Sequence, residues 1–248
     1  MTDQLDDLTA MSRVLGQPER DLVVLGEGNT STRADDASFW VKASGTRLEY
    51  ADRSTFVRVG FRPILEALDN PRLTDAEVGE VLRSATIEGG RVPSIEAFLH
   101  ALCLQLDKVV FVGHTHPTAA VGLLSSANSR AIFEGSLFPD QIVLLGTAYV
   151  YIPYADPGLP LARSVREHLE AHLYRRGRAP RVILMENHGV IALGSTAEQV
   201  INITEMLVKT CHILTIAMTA GGPRFLTAQH VERIDTRPDE QKRRGDLK

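Results

Sequence analysis

The stretch Lys108-Val109-Val110-Phe111-Val112-Gly113-His114-Thr115-His116-Pro117 decides the reading of this chain. Its valines and phenylalanine read as a short strand, and the run stops at Pro117, which has no N–H to give a sheet. Side chains alternate across a strand with a period of two, so His114 and His116 leave its end on the same side. Two imidazoles so placed suit one metal ion. A third, His188, stands in Glu186-Asn187-His188-Gly189, between the strand-like runs Arg181 to Met185 and Val190 to Leu193. Three histidines with one open position are a donor set of catalytic zinc sites. Read alone, His114 and His116 serve equally well as satisfied polar residues at a strand end. What favours a metal is that all three lie at loop junctions beside Pro or Gly, where functional residues concentrate. His168 and His172 belong instead to Leu161 to Arg175, which reads as a charged, solvated helix.

Upstream of the strand, Arg91-Val92-Pro93-Ser94 breaks the chain and opens a helix. Ile95, Phe98, Leu99, Leu102 and Leu106 form its apolar face, leaving Glu96, His100 and Cys103 on a different side. A carboxylate in a first helical turn is a favourable partner for the helix dipole. Glu96 is also the acid best placed at a loop-helix junction to move a proton beside a metal.

Further out, residues 4 to 15 read as an amphipathic helix ending near Gly16, and Gly26-Glu27-Gly28-Asn29-Thr30-Ser31 as a loop. Ser38 to Ala43 follows as a strand and Ser44-Gly45-Thr46 as a second loop. Thr74-Asp75-Ala76-Glu77 has capping-box spacing for a helix over about 75 to 86. Ile142 to Ile152 supplies two strand candidates. Ser195-Thr196-Ala197-Glu198 is another capping box, opening a long helix towards Gly221. From about Asp235 the chain reads as a charged tail, mobile at its very end.

With 248 residues, 44% hydrophobic and 23% charged, residues 1 to 248 fit a single α/β domain. A net charge of −4 gives no reason to expect nucleic acid as a partner. Cys103 and Cys211 sit in apolar helical patterns without zinc-knuckle or C-x-x-C spacing, and read as free thiols in a reducing compartment. No signal-peptide core follows Met1, and no unbroken apolar run reaches about 18 residues. No membrane partner and a cytoplasmic location are therefore expected.

Gly28-Asn29, Ser44-Gly45 and Ser94 place small residues at three chain turns, each able to offer N–H, hydroxyl or amide groups to an anion. Each is also an ordinary turn. Gly26-x-Gly28 lacks the remaining glycine of a dinucleotide fingerprint.

The order of these motifs carries more than any one of them. Gly28-Asn29-Thr30-Ser31, Lys42-Ala43-Ser44-Gly45-Thr46, Pro93-Ser94-Ile95-Glu96 with His100, Gly113-His114-Thr115-His116-Pro117 and Asn187-His188-Gly189 follow one another from about residue 8 to 220. In this order they resemble the class II aldolase/adducin family, which includes sugar-phosphate aldolases, epimerases and dehydratases. The resemblance implies a three-layer α/β/α sandwich around a largely antiparallel central sheet. It implies zinc on His114, His116 and His188, with Mn2+, Co2+ or Fe2+ as other divalent occupants. Glu96 corresponds to the carboxylate that caps the resting metal and then acts as acid/base. Gly28, Asn29, Ser44, Gly45 and Ser94 match phosphate-binding positions.

The implied activity is retro-aldol cleavage of a ketose phosphate through a metal-stabilised enediolate. An epimerase, a dehydratase or a sugar-acid decarboxylase would use the same centre, and an adducin-type scaffold would use none of it. The family's aldolases commonly carry Ser-Ser before the glutamate. Ser94-Ile95 lacks one of those hydroxyls and is similar to rhamnulose-phosphate aldolase modules fused to dehydrogenases. The resemblance further implies a homotetramer with sites at subunit junctions and a second proton carrier from a neighbour. Glu134 lies in a suitable region for that carrier, whereas Tyr149, Tyr151 and Tyr154 read as strand and interface packing.

Overall fold

A computed structural model describes residues 3–246, and every structural statement below refers to them. Eight strands form one sheet: β1 (Asn29–Arg33), β2 (Ser38–Lys42), β3 (Phe56–Gly60), β4 (Thr86–Glu88), β5 (Phe111–Thr115), β6 (Val150–Ile152), β7 (Val182–Met185) and β8 (Gly189–Gly194). Their order across the sheet is β4-β3-β2-β1-β5-β8-β7-β6. Every neighbouring pair is antiparallel except β6 and β7, which run parallel. The largely antiparallel sheet expected from the resemblance is thus present.

The period of two divides each strand between two cores. Val112, Ile183, Met185, Ile191 and Leu193 enter one hydrophobic cluster, and Phe111, Val182, Leu184, Val190 and Ala192 the other. Because both faces are covered, β7 and β8 are buried along their whole length and read as continuous apolar runs rather than alternating ones. The first face is covered by α2 (Phe61–Asp69), α3 (Asp75–Ala85), α4 (Ala97–Leu104) and α8 (Leu159–Arg176). The second is covered by α1 (Gln4–Leu15), α5 (Thr118–Leu124), α6 (Ser129–Ile132), α7 (Pro139–Leu145) and α9 (Ala197–Thr219), and completes the α/β/α sandwich. By length and composition α9 could cross a membrane. Its Val200, Ile203, Leu207, Cys211 and Leu214 are buried against the second face.

Several local expectations give way to packing. Asn29, Thr30 and Ser31 lie in central strand β1 rather than in a loop. Their short polar side chains fit there because they bond inside the sandwich: Thr30 with Ser12 at 2.6 Å and Ser31 with His100 at 2.7 Å. Of the two strands expected over 142 to 152, only β6 forms. The first half is α7, which Pro139 opens with its fixed φ and Gly146 closes at φ +83°. Helix α4 starts at Ala97, with Glu96 at the capping position before it. It is covered nearly all round, while Ile95, expected on its apolar face, is 41% exposed.

His172, expected in solvent, is buried on α8. The cap of α9 is shifted by one residue: Thr196 accepts from the Gln199 N–H, and the Gln199 side chain accepts from the Ser195 N–H. The tail region forms two further helices, α10 (Ala228–Thr236) and α11 (Pro238–Asp246), both packed against α7, with Arg243 of α11 paired to Asp140 of α7. The very end expected to be mobile, Leu247 and Lys248, lies outside the described residues.

Phe98 is fully buried on α4 within the hydrophobic cluster of the first face. Truncation to alanine removes a large core side chain, and Phe98→Ala is expected to lower unfolding stability by about 3–5 kcal/mol. Urea unfolding followed by circular dichroism checks this, and an unchanged midpoint would contradict the packing described.

Candidate metal centre

Three adjacent strands and two chain junctions build the centre. Asn29 opens β1 and faces His114 of β5 across the ladder, and Ile191 of β8 faces His114 from the other side. His116 lies one residue beyond the end of β5, where its N–H donates to the Leu22 carbonyl at 2.8 Å. His188 occupies the turn between β7 and β8, after Asn187 in a left-handed conformation at φ 52°. Glu186 begins this turn, and its carboxylate accepts from the Tyr154 N–H at 3.1 Å.

The four chemically active side chains converge. His114 Nε2 and His116 Nε2 are 2.9 Å apart, and Glu96 Oε1 lies 3.4 Å from His114 Nε2 and 3.2 Å from His188 Nε2. Nitrogens about 2.0–2.1 Å from a tetrahedral ion would stand roughly 3.3 Å from one another. These three separations are close to the edges of such a tetrahedron, and the ligand atoms of His114, His116 and His188 all lie within 4.8 Å of one another, with the carboxylate beside them. The donor set therefore fits a divalent ion of the zinc type.

Hydrogen bonds around this set orient it. The Val190 carbonyl accepts from His114 Nδ1 at 2.9 Å, which leaves Nε2 of the neutral ring free to ligate. Asn29 donates its amide to Glu96 Oε2, so one carboxylate oxygen is anchored and the other faces the histidines. The close approach also fixes a backbone position. A Cβ on Gly189 would lie 2.6 Å from His116 Cδ2 and 2.7 Å from the Thr115 carbonyl.

Electrostatics follow from burial and proximity. Burial pushes the Glu96 carboxyl up, but His114 and His188 together outweigh it and hold the group well below the usual carboxylate range. Burial pushes His114 down, yet the Glu96 carboxylate and the Val190 carbonyl leave it raised. Burial, with the charges of His114 and His188, lowers His116 to about 3. Protons and a metal ion would compete for the same ring nitrogens, so an ion held here would be lost as the pH falls.

Of the residues read as phosphate-binding, Asn29 joins the metal centre itself. Gly28 precedes it at φ +70°, where an added Cβ would lie 2.8 Å from the His114 carbonyl. Ser44, Gly45 and Ser94 belong to neighbouring loops: the Ser44 N–H donates to Val92, and the Ser94 N–H donates to Lys42. Ser44 and Gly45 are exposed and Ser94 is half-buried.

Two contributors had no assigned role in the sequence reading. Lys42 is buried, and its amine donates to the Gly26 carbonyl at 3.0 Å and the Thr46 carbonyl at 2.6 Å, tying the two loops together. Burial lowers this amine to about 8, against the opposing pull of Glu96. In the sequence it is a lysine at the end of the strand run Ser38 to Ala43, and in the structure it lies between the buried Val41 and Ala43. Glu27, between two glycines, places Oε2 3.8 Å from His116 Nδ1. Glu134, considered for a second proton carrier, lines a different cavity that contains none of the metal-centre residues.

Gly189→Ala is expected to weaken divalent-ion binding by about tenfold or more while leaving secondary structure intact, since the new methyl displaces two ligand rings. Competition with a chromophoric chelator measures it; parental affinity in the variant would contradict the crowding at Gly189.

The sequence profile of the Class II Aldolase and Adducin N-terminal domain matches residues 6–215. Among curated relatives, the uncharacterized oxidoreductase YuxG of Bacillus subtilis is 26% identical over 231 residues. That match covers 90% of this chain and only 29% of YuxG, so the chain spans less than a third of this relative. A 3-oxo-tetronate 4-phosphate decarboxylase of Haemophilus influenzae is 26% identical over 222 residues, covering 88% of this chain and 90% of that enzyme. Among solved structures, an L-fuculose 1-phosphate aldolase superposes with a TM-score of 0.71 at 20% identity, covering 95% of each chain. The chain belongs to the class II aldolase/adducin family.

Proposed function

We propose that this protein is a metal-dependent lyase that breaks a carbon–carbon bond of a ketose phosphate by a retro-aldol reaction. The observation carrying this reading is the position of Glu96, whose Oε1 lies 3.4 Å from His114 Nε2 and 3.2 Å from His188 Nε2 while Asn29 anchors its other oxygen. A bound divalent ion, zinc first, supplies a Lewis acid beside the substrate carbonyl.

The remaining chemistry belongs to the chain. Substrate entering beside the three histidines would take the place of Glu96 Oε1, leaving that oxygen free to accept or return a proton while Oε2 stays fixed by Asn29. Lys42 holds the loops that carry Gly28 and Ser44-Gly45 in one arrangement, and Ser94 is joined to the same strand end through the Lys42 carbonyl. Together they form the proposed phosphate cradle. The expected fourfold assembly would bring a neighbour's proton carrier to the same centre.

The match to the Haemophilus decarboxylase along 90% of its length favours a second reading on the same residues. There a keto-acid phosphate loses carbon dioxide instead of an aldehyde, and Glu96 again moves a proton. Incubating metal-loaded protein with a panel of ketose phosphates and with 3-oxo-tetronate 4-phosphate separates the two by product: an aldehyde or carbon dioxide.

In either case Glu96→Gln is expected to slow turnover by roughly 100-fold or more, the range of a lost general acid–base group, while the histidines still bind metal. Steady-state kinetics with metal analysis of the same samples provides the check. Full turnover in the variant would remove Glu96 from the proton transfer.

A further inference from the structure

Away from the metal centre, a cavity of about 220 Å³ opens between α8, α6 and the chain entering β6. Arg130, Arg175, Arg176, His168 and His172 line it, with Glu134 as the one carboxylate in its wall. An adjoining cavity of about 140 Å³ shares Thr147, His172 and Arg176 and adds Arg178 and Arg181. In a chain of net charge −4 this is a local concentration of cations.

Arginines in the last turn of a helix favour its dipole, which accounts for Arg175 and Arg176 at the end of α8. It does not account for Arg130, which comes from α6 and stands 5.9 Å from the Tyr151 ring centre. Nor does it account for His172, which is buried in the same wall. Burial first, then the charges of Arg176, Arg175 and Arg178, push His172 below its ordinary value, so those cations converge on one point. Arg178 pairs with Asp235 at 3.2 Å. Among the described residues, Arg130, Arg175 and Arg176 have no carboxylate partner.

We propose that this cavity is a binding site for a small, multiply charged oxyanion, a phosphate ester or a polycarboxylate, gripped by Arg130, Arg175 and Arg176. Guanidinium groups present planar paired donors that match the oxygens of either class. Hydroxyls of Ser136, Thr147 and Tyr151 stand on the same wall to take the remaining oxygens. The cavity is open to solvent, with Arg130, Arg175 and Arg176 exposed at its wall, and its volume admits a metabolite-sized anion.

Calorimetric titration of the metal-loaded protein with inorganic phosphate and with tricarballylate, both weak chelators, tests the site and separates the two ligand sources. The parent is compared with Arg175→Gln/Arg176→Gln, with Arg130→Gln, and with Ser44→Ala/Ser94→Ala, which alters the proposed phosphate cradle. The expected result is a saturable event for at least one anion, weakened tenfold or more in both arginine variants and retained in the serine variant. A thermal midpoint near the parent's shows that a variant is folded, and Arg130→Gln carries the test if the double variant is not. Absent binding, equal affinity in a folded arginine variant, or loss only in the serine variant would overturn the proposal. So would a fall in oligomer mass in the arginine variants without anion binding by the parent, which would assign the cavity to an acidic side chain of a second copy.

Discussion

The contact on which the rest depends is that of the Glu96 carboxylate with the imidazoles of His114 and His188, at 3.4 and 3.2 Å. A buried carboxylate is costly unless it is paired and hydrogen-bonded. Here two rings and the Asn29 amide meet that requirement together. Four residues from four parts of the chain must reach one point. Strand order arranges this, because β1, β5 and β8 lie side by side and deliver Asn29, His114 and the His188 turn to the same end of the sheet. Helix α4 then crosses that face and presents Glu96 at its start.

Beneath the three histidines and Glu96 lies a polar layer that an ordinary sandwich core would lack. Ser31 bonds to His100, Thr30 to Ser12, and Lys42 to two carbonyls, all inside the fold. Burial drives His100 down to about 3, so it stays a neutral ring. Buried polar groups of this kind are costly unless they are bonded, and Ser12, Thr30, Ser31 and Lys42 are, whereas His100 bonds through Nδ1 alone and its Nε2 has no partner among the described residues. The layer links α1, β1, β2 and α4, the elements that must be in register for Glu96 to meet the histidines.

How much of this the sequence revealed follows from what each signal reports. His114, His116, His188 and Glu96 were legible because strand period, Pro or Gly neighbours and motif order are local properties, and the fold brings the four together. The strand at Phe111, the capping box at Thr74 and the long helix α9 were legible for the same reason. Segments whose structure depends on distant partners were not. Asn29-Thr30-Ser31 looks like a loop until α1 and α4 supply partners for its hydroxyls. Ile142 to Leu145 has strand composition, but Pro139 makes it helical. His172 sits in a charged pattern yet is buried by its neighbours. Lys42 stands in the run Lys42-Ala43-Ser44-Gly45-Thr46, and only the three-dimensional approach of Gly26 and Thr46 shows what it holds.

The most direct test of this account is elemental analysis of the purified protein beside its His114→Ala variant. The account predicts about one divalent ion per chain in the parent, the stoichiometry of a three-histidine site, and almost none in the variant. No ion in either protein after reconstitution, or the same content in both, would contradict it.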